Sequence, residues 1–299
     1  MTFTSRRGMR AALAMSATAA LVLTGCTTNT EGPEGSGEPR EEVAVEVNDE
    51  IAALVPADLR ERGVIVIGTN TPYAPNEFKD ENGEIVGFDI DVMDAVAAVM
   101  GLEADFRESD FEKIIPAIEG GTMDMGASSF TVNAERLETV DFVTYFEAGI
   151  QWAAAAGTDV NPDDACGLRV AVQRTTVSDQ EDVPARSEAC VAAGKPAITK
   201  VQFDTQDEAS TAVALGKVDA MSADSPISAY AVKQSGGKMQ LVGEVFDSAP
   251  YGWPVRKGNE LAVALQAATN ELIESGDFET IAANWGVENG LVSQSEIRE

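Results

Sequence analysis

Val64-Ile65-Val66-Ile67-Gly68 is a short apolar run closed by glycine, the pattern of a buried strand. It leads directly into Thr69-Asn70-Thr71-Pro72-Tyr73-Ala74-Pro75-Asn76-Glu77-Phe78. Pro72 and Pro75 there remove backbone freedom and fix an irregular loop. Gly83-Glu84-Ile85-Val86-Gly87-Phe88-Asp89-Ile90-Asp91 follows as a turn, a short strand and a helix start.

The same alternation continues outward. Asp89 to Met100 is helical, with Ile90, Met93, Ala97 and Met100 on one face and Gly101 as a stop. Phe111 to Glu119 is a second helix, and Met123 to Ala127 is strand-like. Further on, strands are expected at Arg169–Val172, Ala220–Met221 and Met239–Val242. Helices are expected at Gln206–Leu215, Ser225–Gln234, Asn259–Glu274 and Asp277–Trp285. Such alternation argues for α/β architecture with mainly parallel sheets. Gly121-Thr122-Met123-Asp124-Met125 has an echo in Gly216-Lys217-Val218-Asp219-Ala220. Five residues past each Asp stand Ser129 and Asp224, which this reading carries to the carboxyl ends of two strands. Ligands bind outside those ends in open α/β sheets, so the echo suggests two lobes facing across a cleft.

Composition narrows the function classes. The chain has no histidine, which removes His metal ligands, His general bases and Ser-His-Asp triads. Residues 1–25 carry three arginines and no acid, so from a net −29 the remainder carries −32, unsuited to nucleic acid or an anionic membrane face. Arg6, Arg7 and Arg10 precede an apolar stretch from Ala11 to Leu23 that is too short to span a bilayer, the layout of a secretory signal. Leu23-Thr24-Gly25-Cys26 resembles the lipobox of bacterial lipoproteins, which implies cleavage before Cys26, lipid on that residue and anchoring to the cell membrane outside the cytoplasm. Residues 26–50, rich in Thr, Gly, Glu and Pro, read as a flexible acidic tether. With Cys26 assigned to lipid, Cys166 and Cys190 are expected as a disulfide, the default for an exported pair. No metal or cofactor is expected.

Taken with Ser128-Ser129-Phe130-Thr131-Val132-Asn133-Ala134-Glu135-Arg136, the two blocks around Pro72 and Phe88 resemble the family-3 bacterial extracellular solute-binding proteins. The resemblance covers about residues 60–288. It implies a type II periplasmic-binding-protein-like fold: 51–154 plus 247–299 as lobe 1, 155–246 as lobe 2, and crossings near Ala153–Gly157 and Asp247–Pro254. It also implies a free amino acid as ligand, an ABC permease as partner, a monomer, and hinge closure rather than catalysis.

Site roles follow from the same resemblance. Arg136 holds the ligand carboxylate with two parallel hydrogen bonds, assisted by Thr131. Ser129 and Asp224 receive the α-ammonium. Thr176 donates from the second lobe, although Thr175 replaces the usual glycine and puts that turn in doubt. Tyr73 and Phe111 sandwich the side chain. Asn70 stands where relatives for cationic ligands often carry Asp, which weakens a Lys, Arg or His assignment. Glu77 can substitute for that charge, but an acid is common there and discriminates little. Asn76 and Asp110 are further candidates for the pocket. Two other functions use the same fold: a small-acid dehydratase, and a sensing module for a separate receptor.

Overall fold

The computed structural model describes Glu41 and residues 43–299. The expected signal segment, Cys26 and most of the tether lie outside the described residues. The strands are β1 (Val64–Thr69), β2 (Phe78–Lys79), β3 (Ile85–Val86), β4 (Glu103–Glu108), β5 (Met125–Gly126), β6 (Val140–Ala155), β7 (Arg169–Gln173), β8 (Thr199–Phe203), β9 (Ala220–Asp224), β10 (Met239–Arg256) and β11 (Ile297–Arg298). Among the described residues they form a continuous sheet in the order β4-β1-β5-β10-β6-β9-β7-β8, with β11 on the edge of β6, and a small β2-β3 hairpin.

The outer strands pair in parallel: β1 with β4 and β5, and β7 with β8 and β9. The centre is antiparallel, because β6 and β10 run alongside each other for most of their length. The mainly parallel sheet expected from sequence is therefore a mixed one. Val140–Ala155 was not among the expected strands. It is 16 residues long and buried almost throughout, so it shows no alternation of apolar and polar residues.

Several hydrophobic clusters pack on this sheet, and the two largest share β6 between them. Val143, Tyr145, Phe146 and Ala148 of β6 pack with Tyr251, Trp253 and Val255 of β10 in a large first core. Ile150, Trp152 and Ala154 pack with Val242, Val170 and Val172 in a second. The changeover falls at Gly149, ahead of the crossing expected at Ala153–Gly157. A Cβ there would sit 2.5 Å from Val245 Cγ1 and 2.7 Å from the Phe246 carbonyl, so the close approach of β10 requires glycine. Opposite it, β10 shifts register on both sides of Phe246, and Asp247 takes a left-handed φ of 48°. The two-lobed architecture is thus one sheet crossed by two long shared strands.

The internal echo has a common physical basis. The Asp124 carboxylate accepts the Val66 N–H at 2.7 Å and pairs with Arg62. The Asp219 carboxylate accepts the Arg169 N–H at 2.8 Å and pairs with the Arg169 side chain. Each aspartate precedes a strand and ties it to its parallel neighbour. The Cys166–Cys190 disulfide is present and closes the second core beside Ala165 and Ile198.

The expected tether gives way before residue 50. Val43 and Val45 pack against the first core, and Asn48 caps a short helix at Asp49–Ala52. Glu41 and Asn284 exchange two hydrogen bonds of 2.9 Å. Two valines, Val43 and Val45, are enough apolar surface to dock on an existing core, although too few to form one.

Candidate functional site

The loop after β1 is held in shape by its own backbone. Tyr73 N–H donates to the Glu77 carbonyl at 2.7 Å, and Asn76 N–H to the Tyr73 carbonyl at 3.0 Å. The start of the helix Phe88–Val99 locks it from behind, with Phe88 N–H on the Pro75 carbonyl and Asp89 N–H on the Asn76 carbonyl. Gly87 has φ 145°, and a Cβ on it would lie 2.1 Å from the Asn76 carbonyl oxygen, so the loop seats only against glycine. This geometry turns Tyr73 and Glu77 inward, away from solvent.

Side chains from both halves then converge on one narrow cleft. Asn70, Tyr73, Glu77, Phe111, Ser129, Thr131, Arg136, Thr176 and Asp224, the residues expected at a ligand site, all line it. Ser128, Gln173 and Val177 line it too. Ser128 is legible as the neighbour of Ser129. Gln173 ends β7 as Asp224 ends β9, a strand-end signal that sequence reasoning passed over. Asn76 and Asp110 do not line the cleft: Asn76 is buried behind it on Ser129, and Asp110 pairs with Lys113 at the surface.

Arg136 sits on a helix of one turn, Ala134–Leu137, capped by the Asn133 side chain. Its guanidinium donates to the Thr131 carbonyl at 2.7 Å and to the Thr175 carbonyl, from the other half, at 3.0 Å. It lies 5.4 Å from the Phe111 ring and 5.5 Å from Phe130, rings that stack on each other at 4.5 Å. Burial pulls its pKa below the usual arginine value, and the nearby Asp224 carboxylate opposes that shift.

Asp224 occupies the cap position of the helix Ser225–Gln234 but makes no capping hydrogen bond. Its Oδ2 instead accepts the hydroxyls of Tyr73 and Tyr251, each at 2.6 Å. Burial raises its pKa, while the two hydroxyls and Arg136 pull the other way. Thr175 takes φ 60°, held by its N–H on Asp179 Oδ2 at 2.9 Å, so the turn forms without the glycine. The Thr176 hydroxyl donates to the Gln173 carbonyl at 2.8 Å. Asn70 is committed on both sides, giving to the Ser109 carbonyl and taking from Gln173 Nε2, each at 2.8 Å.

Glu77 is fully buried. Among the described residues no Lys or Arg pairs with it; it accepts from the Ser128 hydroxyl at 2.7 Å. Burial, then repulsion from Asp89, pushes its pKa well above the ordinary carboxylate range. The cleft therefore carries a cation at the Arg136 end and uncompensated acid at the Glu77 end.

Comparison with known proteins places the whole chain in a family. Residues 65–288 match the model of the bacterial extracellular solute-binding proteins, family 3. The chain is 43% identical to the arginine-binding protein ArgT of Corynebacterium glutamicum, over 98% of this chain and 96% of that one. It is 29% identical to the ABC transporter glutamine-binding protein GlnH of Bacillus subtilis, over 89% and 93%. Among solved structures, an ancestral arginine-binding protein bound to arginine is similar with a TM-score of 0.69 and 36% identity, covering 75% of this chain and 98% of that one. The function class is solute binding, not catalysis, and the chain belongs to family 3 of the bacterial extracellular solute-binding proteins.

Proposed function

We propose that this protein captures a free cationic amino acid, with arginine the first candidate, and delivers it to an ABC permease. The observation that carries this reading is the buried, cation-free carboxylate of Glu77 facing a cleft whose other end holds Arg136. A buried charge needs a partner, and removing both ends from water is costly unless each is paired. A zwitterion with a second positive charge satisfies both ends. Its carboxylate pairs with Arg136, its α-ammonium with Asp224, and its side chain reaches Glu77 between the faces of Tyr73 and Phe111. Asn70, tied to Gln173, helps hold the cleft closed and is not the counter-charge. The relatives named for arginine support the same ligand class.

In this reading the lobes meet across the cleft and hinge where β6 and β10 cross beside Gly149. Ligand contacting both lobes favours the closed form by its differential affinity. Cys26 carries lipid and holds the protein at the membrane outside the cytoplasm, which raises its local concentration at the permease.

A thermal-shift screen of the common amino acids, with ornithine and citrulline, tests the ligand class. Stabilisation by arginine, lysine or ornithine supports it, because the shift follows concentration over dissociation constant. Stabilisation by sugars or peptides alone contradicts it.

A further inference from the structure

Asp89 reaches no part of the cleft, yet it stands directly behind Glu77. It lies in the first turn of the helix Phe88–Val99 and is fully buried. Its carboxylate accepts the Ser129 N–H at 2.7 Å, and both oxygens lie 2.8 Å from the Tyr145 hydroxyl. The Ser129 hydroxyl lies 3.1 Å from Asp89 Oδ2 and 3.3 Å from Glu77 Oε2. It also receives the Asn76 amide at 2.8 Å. That hydroxyl has one hydrogen, so it can serve only one of the two carboxylates.

Among the described residues, no Lys or Arg pairs with Glu77 or Asp89. The groups facing this pair are Asp224 from the end of β9, Tyr145 from β6 and Tyr73 from the loop of Glu77 itself. Arg136 is directed to the carbonyls of Thr131 and Thr175. Two ionised carboxylates that share a dry site repel strongly, and holding one proton relieves the repulsion. A cation arriving through the cleft meets Glu77 first and relieves the same repulsion, so proton and cation compete for one place.

We propose that Asp89, as a positioning residue behind Glu77, makes capture of a cationic side chain an exchange: the pair holds one shared proton, and binding sends it to solvent. The acid proton leaves as the ammonium or guanidinium takes its place, so charge balances. This rests on the amino-acid reading above. Burial raises Asp89 to about 6 and lifts Glu77 well above its usual value, consistent with a proton retained near neutrality. Apparent affinity for arginine then falls about tenfold per pH unit below the titration of the pair.

Isothermal titration of arginine into the exported protein at about pH 6.5, in phosphate and in an amine buffer of higher ionisation heat, reads the exchange directly. The expected result is a difference in heat equal to about one proton per arginine. Asp89→Asn should reduce that difference and flatten the dependence of Kd on pH, because Glu77 then keeps only the part of its raised pKa that burial supplies. Should that variant fail to fold, the wild-type slope of Kd against pH gives the same answer. Arginine binding with buffer-independent heat and a flat pH profile overturns the exchange and leaves the function standing. No binding heat from arginine, lysine or ornithine overturns the function and the exchange together.

Discussion

Arg136 bridges the two halves of the molecule through carbonyls of Thr131 and Thr175. A ligand carboxylate adds a charge-assisted partner to a guanidinium already oriented, and little side-chain entropy remains to be lost. Replacing Arg136 by Ala removes one half of a buried charge pair, a loss of about 2–5 kcal/mol. Amino-acid affinity should fall at least about thirtyfold by calorimetry, with the circular dichroism of the unliganded protein unchanged. Near-normal affinity would refute the carboxylate role. Asp89 yields a pH prediction with a definite sign. Burial raises its pKa from the ordinary aspartate value to about 6, so its contribution to stability is full below the unfolded value and lost as pH rises through about 6. The melting temperature of the unliganded wild type should therefore drop more between about pH 4.5 and 7 than that of Asp89→Asn; equal drops would exclude Asp89 as a contributor. At this scale the sequence was informative where a charged residue stood in a recognisable block, as with Arg136. It failed where a role depends on a second residue that packing brings close. Nothing around Thr175 announces that Asp179 will hold it left-handed, and nothing around Glu77 announces Asp89 behind it.

At the scale of elements, β6 and β10 join the two halves, and Gly149 lets them touch. A branched side chain there must displace the Phe246 backbone, so Gly149→Val should destabilise by about 1–3 kcal/mol, as overpacking does. Denaturant unfolding checks this; a change within about 0.5 kcal/mol would show that the strands have slack. The Cys166–Cys190 bond closes a loop spanning 24 positions. Its loss in the double Cys→Ser variant should cost roughly 3 kcal/mol in the chain-entropy model. Amino-acid affinity should be retained, since the bond lies outside the cleft lining. Short elements with caps and glycine stops, such as Phe111–Glu119, were legible because local patterns specify them. The long shared strands were not. A strand buried on both faces has no period, and its division between two cores is a property of what packs on it.

At the scale of the whole molecule, the cleft closes through polar bridges as well as shape. Tyr73 reaches Asp224, Gln173 reaches Asn70, and Asn133 reaches Glu181 at 2.9 Å. Tyr73 also packs on Ala223 and Ile227 from the other half. Each of these contacts joins the two sides of the cleft, so a ligand that touches both sides adds to bridges of the same kind. The strong net negative charge attracts cationic solutes at long range. The central claim is that the cleft recognises a free amino acid bearing a positive side chain. Titration of arginine at neutral pH, followed by calorimetry with recovery of the bound molecule, tests it most directly. The account predicts one site per chain, micromolar or tighter binding and arginine recovered unchanged; absence of binding by arginine, lysine and ornithine, or chemical conversion of the ligand, would contradict it.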